Sequence, residues 1–182
     1  MKLRYFLQVV AAALGLGVAS TGAVYAQTSD AAAGAAKLSA ADQQFVQDAS
    51  QANATEIAAS NIALRNSSDP HVRTFAQQMI TDHTKLAHSM GALAARKGLG
   101  AAPAANSALV GKLQTLKGKE FDQAYVEQIA LEGHQKAVDL FQTESESGSD
   151  VELKAAAAHA LPTIKHHLAM AQQLAGTMKG SS

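Results

Sequence analysis

Four long stretches of the chain repeat apolar residues with the 3.6-residue period of an α-helix. These stretches cover about residues 39–66, 70–97, 119–147 and 149–178. Alanine dominates the hydrophobic residues, and only 4% of all residues are aromatic. Strands are normally rich in β-branched and aromatic side chains, so this composition disfavours sheets. We therefore predict an all-α fold.

The ends of the predicted helices carry recognisable signals. Gly98 suits the left-handed conformation that ends many helices, so the second helix should stop beside it. Pro162 lies inside the fourth stretch, where the apolar period resumes beyond it, so we expect a kink and not an end. The predicted start signals are Ser39, Asp69 followed by Pro70, and a capping box of Ser149 with Glu152.

The connections between helices predict their order in space. The first and last turns are short, which makes the helices that they join antiparallel neighbours. The middle connection has about 20 residues and includes a short amphipathic helix over 109–117. A segment of that length can cross the whole bundle and make helices two and three parallel. This predicts a ferritin-like four-helix bundle with a long crossover.

The amino terminus has the pattern of a secretory signal peptide. Lys2 and Arg4 precede an apolar run over 5–18, and a cleavage site follows near Ala26. An uncleaved anchor is the alternative, but the run is short for a membrane span. We therefore predict a periplasmic protein with no transmembrane span when mature. The predicted parts are a signal peptide (1–26), a flexible spacer (27–38), the bundle domain (39–178) and a tail (179–182).

Charge and composition exclude several functions. The chain has 15 basic and 15 acidic residues, which gives no excess of positive charge for a nucleic-acid partner. It has no cysteine, so it can form neither a disulfide nor a thiolate metal site. No nucleophile triad or phosphate-binding glycine loop is present, so nucleophilic catalysis and nucleotide binding have no support, and the pattern favours a non-enzymatic protein over an enzyme. Protein partners and a homo-oligomer stay open.

Each predicted helix carries one ionisable side chain in the middle of its apolar face. At about 100° per residue, these positions lie in line with the core residues of their helices and at similar depths in the bundle. Three imidazoles and a carboxylate suit a single zinc, iron, copper or manganese ion. The predicted metal ligands are Glu56, His83, His134 and His167.

Four further residues lie near these positions on the helical wheel. Asp82 is expected to hold the second ring nitrogen of His83. His159 and His166 are expected at the margin of the site. Glu127 is expected on the same face of its helix as His134, two turns earlier. The predicted auxiliary residues are Asp82, Glu127, His159 and His166.

A metal-free interpretation stays open beside the metal site. In it, the buried glutamate and histidines form a polar network that sets the register of the helices, and the protein has a non-enzymatic role in envelope stress or protein interaction. A third hypothesis is a mononuclear metalloenzyme, which requires an open coordination position and access to solvent.

Three separated motifs resemble a family of exported bacterial proteins of unknown function that is grouped with ferritin-like folds and often labelled outer-membrane proteins. The motifs are FAQQMITDH (75–83), GKEFDQAY (118–125) and LPTIKHHL (161–168). The resemblance implies a ferritin-like four-helix domain over about 39–176, but no activity. The polar positions that it implies are Glu56, Asp82, His83, His134 and His167.

The chain departs from di-iron ferritins at the metal-binding motif. Those proteins use Glu-x-x-His on two helices. Here Ile80, Leu131 and Ile164 stand three residues before the inward histidines, so the bridging carboxylates are missing. The sequence therefore favours a mononuclear site. The outer-membrane label finds no support, because amphipathic helices without an apolar span do not cross a bilayer.

Overall fold

The computed structural model describes residues 37–180, and these residues form helices and no strand, as predicted. The predicted signal peptide and nearly all of the predicted spacer lie outside the described residues. The helices are α1 (Ala40–Asn66), α2 (Pro70–Arg96), α3 (Ser107–Thr115), α4 (Gly118–Tyr125), a π-helical segment (Val126–Leu131), α5 (Glu132–Ser147) and α6 (Val151–Gly180).

Hydrogen bonds at the helix ends establish the topology. At the end of α1, the side chain of Asn66 donates to the carbonyl of Leu116, just before α4 begins (2.8 Å). At the other end, the backbone N–H of Ser149, just after α5, donates to Asp42 in the first turn of α1 (2.9 Å). The α4–α5 rod is therefore antiparallel to α1 and parallel to α2. The predicted crossover is confirmed, and α3 lies within it.

The start and stop signals of the first two helices are confirmed. The Ser39 hydroxyl accepts from the backbone N–H of Asp42 (3.1 Å), and the Asp69 carboxylate accepts from that of His71 (2.7 Å). Gly98 has a φ of +73°, which is costly for any residue with a side chain. Local sequence rules therefore account for both ends of α2.

The start of α6 differs from the prediction. The cap is Asp150, whose carboxylate accepts from the backbone N–H groups of Glu152 and Leu153, both at 3.0 Å. The predicted capping box of Ser149 with Glu152 is wrong. Asp150 also pairs with Lys97 at the end of α2 (2.7 Å), so a contact between helices adds to the choice of cap.

The apolar core consists of two clusters, one at each end of the bundle. The first includes Phe75, Met79 and Tyr125, and the second includes Phe45 and Phe141. On each long helix, a buried polar residue near the middle of the bundle separates the residues of the first cluster from those of the second. Together these polar residues form a layer across the bundle. The residues of that layer are Glu56, His83, His134 and His167, all buried.

The rod of α4 and α5 contains a segment that the sequence pattern did not predict. Over Val126–Leu131 the backbone bonds follow the wider i→i+5 spacing of a π-helix. This spacing changes the angle between residues before and after it. Glu127 is therefore exposed, although an unbroken α-helix would place it in line with His134.

The described helices and core extend slightly beyond residues 39–178, the predicted bundle domain. Leu38, the last residue of the predicted spacer, packs in the second cluster, and α6 continues two residues into the predicted tail, to Gly180. The helix runs through Pro162 without ending there.

Among residues 37–180, no helix combines the length and the apolar character that crossing a membrane requires.

Two buried carboxyl groups meet where α1 begins and α5 ends. Glu144 is 5% exposed and lies close to Asp42, which is 1% exposed. Burial, followed by the negative charges of Asp42 and Asp150, raises the pKa of Glu144 above its usual 4.5. The folded state therefore binds a proton at Glu144 more tightly than the unfolded state does.

We predict that Glu144→Gln stabilises the fold at neutral pH. The stability that Glu144 contributes is present below pH 4.5 and is lost as the pH rises through its raised pKa. The neutral amide removes this loss, so the melting temperature at pH 7 should rise by about 3 °C. Thermal unfolding followed by circular dichroism at several pH values tests this, with the exposed Glu146→Gln as the matched control. A variant no more stable than the wild type at pH 7 would contradict it.

Candidate functional site

The structure brings the four inward side chains together at the middle of the bundle. The ring centroids of His83, His134 and His167 lie 5.3–5.5 Å apart. One nitrogen from each ring lies within 4.8 Å of those of the other two. An ion at the centre of such a triangle is at most about 2.8 Å from each nitrogen, whereas zinc–nitrogen bonds are about 2.0–2.1 Å long. Movements below about 1 Å would therefore complete a three-histidine site.

His83 is held by two residues of α1. Its Nδ1 lies 2.9 Å from a carboxylate oxygen of Glu56 and 2.8 Å from the amide oxygen of Asn53. The amide nitrogen of Asn53 donates to the backbone carbonyl of His83 (3.0 Å). Both partners of Nδ1 are acceptors, so Nδ1 carries the proton.

His134 is positioned by the π-helical segment. Its Nδ1 donates to the backbone carbonyl of Ile129, five residues earlier (3.2 Å). The other oxygen of Glu56 lies 3.5 Å from the same nitrogen. One carboxylate from α1 therefore lies beside the Nδ1 atoms of two imidazoles on two other helices.

His167 is held by Asp82, which the sequence had paired with His83. Nε2 of His167 lies 3.2 Å from a carboxylate oxygen of Asp82. Asp82 also accepts hydrogen bonds from Gln78 and Lys85 on its own helix. Asp82 therefore contacts a site histidine, but this histidine is His167 on α6 and not the predicted His83, because Asp82 faces α6.

Each imidazole keeps its second nitrogen without a hydrogen-bond partner among residues 37–180. These nitrogens are Nε2 of His83, Nε2 of His134 and Nδ1 of His167. Each exposes less than 1 Å². Oε1 of Glu56 is, within the described part of the chain, a fourth buried atom of this layer without a hydrogen-bond partner. Buried polar atoms are almost always hydrogen-bonded, so this group of lone pairs is unusual.

The ionisation of the site follows from its burial. Burial lowers the pKa of His134, and burial followed by the charge of His83 lowers the pKa of His167 to about 4. Both rings are therefore neutral at pH 7, and their free nitrogens are lone-pair donors. Burial alone would raise the pKa of Glu56, but the neighbouring imidazoles, His83 first, lower it, so Glu56 is a carboxylate.

The remaining auxiliary candidates lie away from the three nitrogens. Glu127 is exposed and lines a separate cavity of about 530 Å³ near Asp122. His166 is exposed, although its ring lies 6.4 Å from that of His167. His159 is also exposed, but it lines a cavity that reaches the site. Of these three residues, only His159 faces an approach to the site.

The sequence analysis missed two polar residues on the core face of α1. Asn53 is 6% exposed and holds His83, and Ser60 is fully buried and shares a hydrogen bond with Tyr125 (2.8 Å). Asn53, Glu56 and Ser60 are spaced by three and four residues, which places them on one face. This spacing could have identified Asn53 and Ser60 from the sequence. An uncharged polar residue on an alanine-rich face is, however, a weaker indication of a buried polar site than a glutamate is.

Comparisons with known proteins support the fold. Residues 27–174 match a family described as "Domain of unknown function (DUF4142)". No curated protein matches the chain.

Two solved structures share the architecture. A DUF305 fragment from Deinococcus radiodurans has a TM-score of 0.67 at 20% identity and covers 77% of this chain and 98% of its own. A DUF305 protein from Streptomyces coelicolor has a TM-score of 0.63 at 22% identity and covers 74% of this chain and 89% of its own. At these identities the likeness concerns the fold alone. The ferritin-like grouping stays a prediction.

We predict that Asn53→Leu destabilises the fold by about 1–3 kcal/mol, because a leucine of similar size cannot accept from Nδ1 of His83 or donate to its carbonyl. Asn61→Leu on the same helix is the matched control, since Asn61 is exposed and bonds only within α1. Urea denaturation of both variants measures the difference. Equal losses of stability in the two variants would show that the hydrogen bonds between Asn53 and His83 contribute no more to stability than an exposed contact on α1 does.

Proposed function

The chain belongs to the DUF4142 family, a family of unknown function, and we propose that it binds one divalent transition-metal ion through His83, His134 and His167. One observation carries the proposal. Three imidazoles meet in a buried layer, and each keeps one nitrogen without a partner while its other nitrogen faces an oxygen.

This pattern of partners is typical of histidines that bind metals. A ligating imidazole usually donates its other N–H to a carboxylate or a backbone carbonyl, which fixes the tautomer and the orientation of the ring. Here the oxygen partners are Glu56 and Asn53 for His83, Ile129 for His134 and Asp82 for His167. Glu56 therefore supports two ligands and is not a ligand itself.

The charges of the site also favour a divalent cation. Glu56 and Asp82 each carry one negative charge close to the imidazoles. Glu56 is buried, and burying a charge without compensation is costly, whereas Asp82 is partly exposed and also pairs with Lys85. An ion of charge +2 would neutralise both. Imidazole ligands suit zinc, copper and iron, of which iron(II) generally binds most weakly, whereas manganese prefers oxygen ligands. Of the four predicted metals, we infer zinc or copper.

The cellular role is inferred from the sequence. The leader over 1–26 supports export to the periplasm, where the bundle would hold its ion in the handling of metal or oxidative stress. Nothing in the site requires a reaction, so we infer a binding protein.

A metal-free network is the second candidate, because Glu56 lies beside two imidazoles. If a proton replaces the ion, one imidazolium would neutralise Glu56, and the cluster would serve only to set the register of the helices. The protein would then be a structural or interaction protein of the envelope. Metal content distinguishes the two candidates.

We predict one metal ion per chain in the protein purified without a tag or chelator. Elemental analysis measures it, and chelation should lower the melting temperature, since an ion that binds only the folded state stabilises it. The triple variant His83→Ala/His134→Ala/His167→Ala should lose the ion. The matched control is His159→Ala/His166→Ala, which removes two exposed histidines of α6 and should keep it.

Two results would contradict the metal proposal. One is a wild-type protein without metal whose melting temperature does not change on addition of zinc or copper. The other is a triple variant that folds, as shown by circular dichroism, and holds the ion as tightly as the wild type.

We predict that Glu56→Gln keeps the ion but binds it about 10–100-fold more weakly, as expected for a residue that orients ligands. A competition titration with a chromophoric chelator measures the affinity. Glu127→Gln is the matched control, because Glu127 is exposed and lies outside the cluster. Complete loss of binding in Glu56→Gln, with the fold intact, would instead make Glu56 a ligand.

A further inference from the structure

A cavity of about 470 Å³ lies between α2 and α6 and reaches the histidine layer. The rings of His83 and His167 form part of its wall, whereas His134 and Glu56 do not. Cavities that hold small molecules usually have about 300–1,000 Å³, so this space is larger than one water molecule requires. Its lining includes polar side chains from both helices, among them Ser89, His159 and Thr163.

The position of Glu56 leaves the site one ligand short. Its two oxygens lie beside Nδ1 of His83 and Nδ1 of His134, on the side of those rings away from their free Nε2 atoms. Three imidazoles then supply three donors, and a tetrahedral ion needs four. His83 and His167, two of the three proposed ligand residues, line the cavity, so the cavity is the space from which we infer that a fourth ligand reaches the ion.

The charges around the cavity favour an anion in the fourth position. A divalent ion and the carboxylates of Glu56 and Asp82 cancel in charge, and the ammonium of Lys85, whose side chain is 73% exposed, adds a positive charge at the solvent side of the cavity. Lys85 lines the cavity and lies 3.3 Å from Asp82. This positive charge favours the approach of an anion over that of a cation.

We propose that the cavity between α2 and α6 admits a small anion, which coordinates the metal through one atom at an open fourth position. The proposal rests on the three-histidine metal site inferred above. It assigns the cavity as the approach to the ion and makes the protein an anion-responsive metal site, not a closed structural one. The side chains of Ser89 and Thr163 can meet the outer atoms of the anion, since both line the cavity.

The test uses cobalt(II) as a spectroscopic substitute for zinc and azide as the anion. The visible d–d bands of cobalt report its coordination, so their appearance when cobalt is added to the metal-free protein tests the metal site. A saturable change of those bands on titration with azide, together with an azide-to-cobalt charge-transfer band, tests the open position. The two readouts are separate, because the azide response can be absent while the cobalt bands are present.

Two cavity variants locate the anion. Ala160→Leu fills the cavity from α6 and Ser89→Phe narrows it from α2, since both residues line it. Each should bind azide at least about tenfold more weakly, with cobalt affinity unchanged. Ala158→Leu is the matched control, because Ala158 is exposed on α6 and does not line the cavity. The Ser89 variant covers the case in which leucine at position 160 disturbs packing.

The outcomes separate the two proposals. Cobalt bands that azide does not change would overturn the open position and leave the metal site intact. An azide response that is equally strong in both cavity variants would overturn the assignment of the cavity. If no cobalt bands appear, the metal site itself fails and the anion proposal fails with it. A response weakened only in the cavity variants supports both.

Discussion

The buried carboxylate of Glu56 is the constraint on which the rest of the structure depends. A buried charge is tolerated only when charged or hydrogen-bonding groups surround it. Those groups come from other helices, since His83 lies on α2 and His134 follows the π-helical segment. The contact fixes the depth of three helices relative to one another, which alanine-rich apolar faces alone would specify weakly. The two apolar clusters then form on either side of this polar layer.

The π-helical segment is an irregular part of the backbone that positions a residue of the site, His134. In a regular α-helix a carbonyl pairs with the N–H four residues later, whereas the wider π turn changes this pattern. The carbonyl of Ile129 accepts from the ring of His134, which fixes the proton on Nδ1 and leaves Nε2 free. Short π segments inside α-helices are frequently found at functional sites, because they alter side-chain direction locally without breaking the helix.

A metal ion and a proton would satisfy the same polar layer, but they fit its charges differently. One imidazolium would balance Glu56 alone, whereas a divalent ion would balance both Glu56 and Asp82. The unpartnered nitrogens also matter, because the lowered pKa values of His134 and His167 make them lone-pair donors at neutral pH. In the proposed metal site, the oxygen partners of the rings would supply the orientation that an ion needs.

The sequence by itself determined the long helices, the caps of the first two, the long crossover, and the inward positions of Glu56 and the three site histidines. These follow from local propensity, connection length and the helical period. Tertiary structure decided which atoms meet. It turned Glu56 towards ring nitrogens on neighbouring helices, paired Asp82 with His167, and moved Glu127 to the surface through the π-helical segment. These outcomes depend on helix rotation and on contacts between residues distant in sequence, and a single helical period contains no information about either.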